Sequence, residues 1–371
     1  MTISNSSNKA PSSTNLPPES ALSEPGALRA FLRTNPAILD VRAPVEYHRG
    51  HLPNSFNQPI LNDDERAAVG TQYKQAGAAA ATQLGHELVS GTTRETRIKA
   101  WQAHIDAHNI QYLMCWRGGQ RSRIAQDWLR AAGYTVQRVA GGYKAVRQAC
   151  LRVLEDATRQ PHGWLVLAGQ TGTGKTELLK QQPQNAIDLE GLANHRGSAF
   201  GSRPEGQPEL ATFENALAAS YLKIDAALQT RPLLLEDESR TIGRMAVPES
   251  WHQRMQASPL VLVQASLEER ISHIKSEYVD EALLSQPAAA LAERYLAATQ
   301  RISRRLGGLR SKELQQLIQA AFANQTDHEA WIAYLLCEYY DPMYNYQLEK
   351  KRERIVFQGS RAAVSDYLRS A

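Results

Sequence analysis

Apolar positions come in short blocks divided by longer stretches of helical spacing, the alternation that builds parallel sheets flanked by helices. Residues 36–42 (Pro-Ala-Ile-Leu-Asp-Val-Arg) read as a short buried strand, followed by a turn-rich stretch over 46–59. Residues 63–90 are polar and Ala-rich and read as helical in part, and 96–108 as an amphipathic helix. A second apolar strand, 110–114, runs straight into Cys115-Trp116-Arg117-Gly118-Gly119-Gln120-Arg121-Ser122, and 124–132 return to helical spacing. A strand over 136–139 ends at Gly141-Gly142, and a connecting helix is predicted over 144–158. The run 159–163, which holds Pro161 and Gly163, breaks it.

The pattern then starts again. Residues 164–168 (Trp-Leu-Val-Leu-Ala) form an apolar strand, 169–176 a Gly-rich loop, and 177–182 the opening of a helix. Two more apolar strands are predicted at 233–235 and 260–263, and from Leu267 onwards the spacing is mostly helical. The expected organisation is a disordered tail over 1–25, a first α/β domain over 26–150 and a linker over 151–163. A second α/β domain over 164–275 and a helical region over 276–371 complete it.

Composition narrows the class. Hydrophobic residues make up 42% and charged residues 22%, ordinary values for a globular protein. No apolar run approaches the about 18 residues of a membrane span, so no membrane partner is expected. The first 25 residues, rich in Ser, Asn and Pro, lack both the apolar core of a signal peptide and the Arg-rich pattern of a transit peptide. Three cysteines, Cys115, Cys150 and Cys337, carry neither disulfide nor zinc-site spacing, which fits a reducing cytoplasm. A net charge of +4 and a pI near 8.9 permit an anionic partner without requiring one.

Cys115 follows an apolar strand and precedes a helix, which puts it at the carboxyl end of a parallel strand, where α/β folds keep their sites. Amide groups of a Gly-rich loop feeding a helix stabilise a thiolate nucleophile or hold an oxyanion, and Arg117 and Arg121 add positive charge. The competing reading, a small buried core residue, is the usual fate of a lone cysteine. The Arg-Gly-Gly-Gln-Arg-Ser setting favours chemistry at Cys115, whereas Cys150 and Cys337 have no such setting.

Gly169-Gln170-Thr171-Gly172-Thr173-Gly174-Lys175-Thr176 fits the P-loop pattern in full and lies between a strand and a helix, as that loop must. Gly172, Thr173 and Gly174 would wrap a diphosphate in backbone N–H groups, Lys175 would neutralise its charge, and the Thr176 hydroxyl would reach Mg²⁺. Asp237, at the end of the strand 233–235, is the metal-side carboxylate in this reading, with a solvated acidic turn as its competitor. No base-recognition motif, water-activating residue or arginine finger stands out, so a diphosphate site is expected rather than an ATPase. No tightly bound cofactor is called for, with a place left for Mg²⁺.

Asp40-Val41-Arg42, Glu46-Tyr47, Gly50-His51-Leu52-Pro53, Asn57-Gln58-Pro59-Ile60 and Gly141-Gly142-Tyr143 resemble the opening and closing signatures of the rhodanese family, over residues 27–150. The resemblance implies that Cys115 carries or attacks sulfur or selenium. Arg121 stands six residues after Cys115, where single-domain rhodaneses commonly have five. The longer loop is that of phosphatase-like members, whose substrates are tetrahedral, and suits selenophosphate better than thiosulfate. The fold class is α/β, a rhodanese-like parallel-sheet domain followed by a P-loop NTPase-like domain with a mostly helical C-terminal region.

More distinctive runs are residues 188–201 (Asp-Leu-Glu-Gly-Leu-Ala-Asn-His-Arg-Gly-Ser-Ala-Phe-Gly), Phe213-Glu214-Asn215, residues 235–240 and residues 339–344. With Asp64-Glu65-Arg66, Tyr73-Lys74-Gln75 and Gly85-His86 they resemble the tRNA 2-selenouridine synthase family over nearly the whole chain after the tail. That resemblance implies a reaction on 2-thiouridine at the wobble position of tRNA. Geranyl diphosphate alkylates the sulfur, selenophosphate delivers selenium, and the geranylated sulfur leaves. Catalytic roles then fall to Cys115, Arg117 and Arg121, and the co-substrate diphosphate to the P-loop.

No geranyl pocket is marked in the sequence; Leu84, Leu88, Val89 and Trp116 are apolar candidates that read equally as core. For RNA, Arg301, Arg304, Arg305 and Arg310, with Lys312, form a basic cluster, and Lys350, Lys351, Arg352 and Arg354 a second one interrupted by Glu349 and Glu353. Such clusters grip phosphates without reading sequence, and also occur as plain solvated helix faces. His195, Arg196 and Arg203 are further phosphate candidates. Two other readings stay open: an ATP-dependent tRNA sulfurtransferase with a persulfide on Cys115, and a non-catalytic, nucleotide-gated RNA-binding module.

Overall fold

The computed structural model describes residues 25–370. The tail predicted over 1–25 lies outside them except for Pro25, which starts helix α1 (Pro25–Thr34). The chain divides into two compact units, one of residues up to Tyr47 with Asn54–Ala149, the other of His48–Pro53 with Cys150 onwards.

The first unit is built on strands β1 (Ile38–Asp40), β2 (Ser55–Asn57), β3 (Tyr112–Met114) and β4 (Gln137–Arg138), all parallel, in the order β2-β1-β3-β4. Both central strands are fully buried, as expected of parallel strands covered on two faces. Its helices are α2 (Pro44–His48), α3 (Asp63–Leu88), α4 (Gly91–His108), α5 (Gln120–Ala131) and the start of α6 (Gly142–Ala157). Asn62 caps α3 in a reciprocal capping box with Glu65, and non-helical backbone at Gly77 breaks the helix into two limbs. Trp101, Leu113, Ala125 and Leu129 lie in the core, where Trp101 stacks on Trp128.

The second unit has strands β5 (Trp164–Ala168) and β6 (Leu233–Glu236), a small antiparallel hairpin of β7 (Thr241–Ile242) and β8 (Met245–Ala246), then β9 (Leu260–Gln264) and β10 (Ile355–Ser360). The main sheet is parallel in the order β10-β9-β5-β6. Helices α7 (Lys175–Lys180), α8 (Leu189–Leu192), α9 (Leu210–Ile224) and α10 (Glu249–Ala257) belong to this part. Then follow α11 (Leu267–Ile274), a π-helical turn at Lys275–Asp280, α12 (Glu281–Ser285), α13 (Ala288–Leu306), α14 (Gly308–Phe322), α15 (Glu329–Leu335), a second π turn at Leu336–Tyr340, α16 (Asp341–Glu349) and α17 (Arg361–Ser370).

The C-terminal region is mostly helical, but β10 lies within it and forms an edge of the P-loop sheet. Its residues alternate between half-buried and exposed, so no apolar block announced it. The P-loop sheet is thus completed by a strand that comes after the helical region. Along α13, Leu291, Tyr295, Ala298, Ile302 and Leu306 make one buried stripe at helical spacing. Phe200, from the distinctive run after the P-loop, inserts among them and stacks on Trp331 with ring centroids 6.2 Å apart. Burying such a ring contributes about 2–3 kcal/mol and ties that run to the helical region. No helix among the described residues is long and apolar enough to cross a membrane.

Candidate functional site

The cysteine loop sits where β3 ends. Tyr143 N–H donates to the Cys115 carbonyl at 2.9 Å and Lys144 N–H to that of Trp116, so the Gly141-Gly142 turn clasps the loop. A side chain at Gly142 (φ 56°) would place its Cβ 2.3 Å from the Cys115 carbonyl oxygen, which only glycine avoids. Cys115 is 3% exposed, and its sulfur donates to Ser122 Oγ at 3.3 Å; that hydroxyl donates in turn to the Gly119 carbonyl. Cys115 and Arg117 line a cavity of about 550 Å³ with Glu46, Arg66, Lys74 and Arg121.

The two arginines of the sequence reading part company here. Arg117 is exposed at the rim. Arg121 makes a two-pronged ion pair with Glu46, at 2.5 and 3.0 Å. Burial alone would raise the Glu46 carboxyl, but hydrogen bonds and charge from Arg121 outweigh it and hold the group below its usual range. Arg121 is therefore a fixed, half-neutralised wall of the cavity. Beneath the loop, Arg42 pairs with Asp40 in full burial and lies 3.8 Å over the Tyr143 ring. A smaller apolar pocket, about 130 Å³, lies between the second limb of α3 and α5, lined by Ala81, Gly85, Val89 and Trp128. Of the four apolar candidates only Val89 lines it; Trp116 lines the cavity at Cys115 instead.

In the second unit the P-loop runs from β5 into α7, as its motif requires. Lys175 Nζ donates to the Gly169 carbonyl at 2.7 Å, folding over the loop that would hold a diphosphate. Gly174 (φ 77°) has the Arg361 guanidinium so close that an added Cβ would meet it at 2.7 Å. Arg270 braces the loop from behind. Its guanidinium donates to the Thr171 carbonyl and to Gln170 and pairs with Asp341. Asp341 belongs to the distinctive run 339–344, whose Tyr340, Met343 and Tyr344 line the same cavity as Lys175 and Thr176, about 590 Å³.

Asp237 does not face that cavity unpartnered: both its oxygens accept from Lys351 Nζ at 2.7 Å. Lys351, expected as a possible RNA contact, is thereby committed to the P-loop site. Two carboxylates missing from the set of expected ligands line the same cavity as the loop. Glu190, from the 188–201 run, and Glu238 line the cavity, and Gly197 N–H donates to Glu190. Burial, then the neighbouring Glu190, pushes the Glu238 carboxyl well above its usual range, although Lys175 pulls the other way. Thr176, Glu190 and Glu238 offer oxygen donors to one cavity, and oxygen is the ligand type that suits Mg²⁺. No local spacing pairs the two carboxylates, since 48 positions separate them (238 minus 190).

The basic residues expected to meet RNA have distinct settings. Arg304 and Arg305 are both exposed at the end of α13, and Arg305 also lines the P-loop cavity. Arg310 pairs with Glu338 at 3.0 Å, and Arg301 donates to the Ala199 carbonyl. Burial, together with the charges of Arg301, Arg203 and Arg196, keeps His195 below its usual value and so neutral near pH 7.

Comparison with known proteins bears on the whole chain. A family model described as the tRNA 2-selenouridine synthase AAA domain matches residues 162–371, and one for the rhodanese-like domain matches 24–149. A tRNA 2-selenouridine synthase of Hahella chejuensis is 45% identical over 353 residues, spanning 92% of each chain. Proteins of the same name from Shewanella loihica and Cupriavidus necator are 45% and 47% identical. They align over 91% and 92% of this chain and 94% and 96% of their own.

Proposed function

This chain belongs to the tRNA 2-selenouridine synthase family, and from that premise we propose a two-step exchange at 2-thiouridine in which each unit serves one step. Making 2-selenouridine in tRNA is the activity of the family; the co-substrates and the division of labour are our reading. In the first step the thiocarbonyl sulfur attacks C1 of geranyl diphosphate. The C–O bond to diphosphate breaks, and the N3 proton of the base is released. In the second, selenium from selenophosphate takes C2 of the ring, geranyl thiol leaves, and water takes the phosphoryl group.

The observation that carries this reading is one chain holding two anion cradles of different chemistry. One has a buried thiol at its floor, beside Arg121. The other has a complete P-loop facing carboxylates. A ring thiocarbonyl leaves poorly, and alkylation turns it into a good leaving group. Lys175 and the N–H groups of Gly172, Thr173 and Gly174 suit the diphosphate of the geranyl donor. Mg²⁺, when bound, would supply charge stabilisation for the departing diphosphate. Thr176 and Glu238 would hold it, with Glu190; Asp237, expected in that place, is the fixed partner of Lys351. In the second step the Cys115 sulfur adds at C2 of the ring and displaces geranyl thiol, selenium then displaces the Cys115 sulfur from C2, and Arg117 offers its charge to the selenophosphate oxygens. Exposed Arg304 and the neighbouring basic residues of α13 and α14 supply tRNA affinity through phosphates.

The test is mass spectrometry of a 2-thiouridine anticodon fragment incubated with the full chain, geranyl diphosphate and Mg²⁺, then with selenophosphate. A geranyl adduct followed by exchange of sulfur for selenium is expected. Consumption of ATP with sulfur transferred and no adduct would replace this reading with that of a sulfurtransferase.

A further inference from the structure

Beside the P-loop, three side chains converge that the two-step reaction does not use. Glu177 is the third residue of α7, His273 lies near the end of α11, and Glu277 lies on the π turn that follows. Their nearest donor atoms all fall within 4.8 Å of one another. His273 Nε2 stands 3.5 Å from Glu177 Oε2 and 3.6 Å from Glu277 Oε2.

These distances decide between two explanations. A charged hydrogen bond of imidazole to carboxylate closes to about 2.7–2.9 Å, and neither contact does. Donor atoms that share a metal ion at about 2.0–2.2 Å are instead held apart, at about 3.4 Å along a tetrahedral edge. A second observation agrees with the metal. Glu177 Oε2 is buried and has no hydrogen-bond partner among the described residues.

We propose that Glu177, His273 and Glu277 form a divalent transition-metal site, separate from the Mg²⁺ position at Thr176. One nitrogen and two carboxylate oxygens select manganese, iron, cobalt or zinc over magnesium and calcium, which take oxygen ligands. Three protein ligands leave coordination positions open, as catalytic rather than structural sites do. All three residues line the P-loop cavity, so those positions face the bound diphosphate. The ion also pins α7, which the P-loop opens, to α11, whose Arg270 braces the loop from behind.

The test needs no transfer reaction, so its result is independent of the proposed chemistry. The full chain is stripped with a chelator and titrated with Mn²⁺ alone, without any diphosphate. Binding is followed by the loss of the free-ion electron paramagnetic resonance signal, and pulsed measurements look for nitrogen-14 coupling. About one tight Mn²⁺ per chain with directly bound imidazole nitrogen is expected. H273N should remove that coupling and weaken binding about tenfold or more, with similar weakening in E177Q and E277Q. A wild-type spectrum without nitrogen coupling overturns the site, whether or not the variants fold. Unchanged affinity in H273N overturns it equally.

Discussion

The two cradles are built by opposite means. At Cys115 the loop is made from one continuous stretch, 115–122, closed by the Gly141-Gly142 turn, and Glu46 cancels much of its fixed positive charge through Arg121. At the P-loop the continuous stretch is only the floor. Its walls come from five distant segments, those of Glu190, Glu238, Arg270, Tyr340 and Lys351, and burial together with the neighbouring Glu190 pushes Glu238 well up. The first arrangement suits a buried sulfur that meets a tetrahedral anion. The second suits a diphosphate that arrives with its cation.

The comparison breaks most sharply at Cys115. Cys115→Ala should cut selenium incorporation by about 10³-fold or more, since removing a nucleophile costs most of the chemical step. Geranyl adduct should accumulate, as mass spectrometry of the tRNA would show. Loss of the adduct as well would mean that the sites do not divide the steps. Lys175→Ala should act on the other cradle alone. Losing a charged hydrogen bond costs about 2–3 kcal/mol, roughly 30- to 150-fold in the geranyl diphosphate needed for half-maximal rate. tRNA affinity, read by filter binding, should hold.

Glu46→Gln tests the cancelled charge. It should destabilise the first unit by about 1–2 kcal/mol at neutral pH, because Arg121 loses its partner but remains partly wetted. Glu46 is held below its usual 4.5, so its contribution is complete above that value and disappears as pH falls through the lower folded value. Denaturant unfolding should therefore show wild type and E46Q converging in acid; a constant gap would mean that Glu46 is not the titrating group. The smallest effect is expected at α13. Charge reversal at Arg304 should reduce the salt slope of tRNA binding by about 1–2. Reversal at Arg305, which lines the P-loop cavity, should also disturb geranyl diphosphate use. A salt slope unchanged in R304E would move the RNA surface away from this helix end.

The same contrast explains what could be read from sequence. Strands β1, β3, β5, β6 and β9 are compact apolar blocks buried on both faces, and each announced itself. Both loops were legible because glycine, lysine, cysteine and arginine stand at fixed local spacing. β10 was not, because an edge strand half wet along its length has no apolar block. Nor could local spacing show that Arg121 is held by Glu46, 75 positions away, or that Asp237 is held by Lys351, 114 positions away. Those pairings arise only when the sheets close, and they change the roles of the residues concerned.

The most direct test of the division of labour starts from tRNA that already carries S-geranyl-2-thiouridine. Given selenophosphate, Lys175→Ala should convert it to 2-selenouridine at the wild-type rate, and Cys115→Ala should leave it unchanged. Failure of the lysine variant, or conversion by the cysteine variant, would contradict the assignment of one step to each unit.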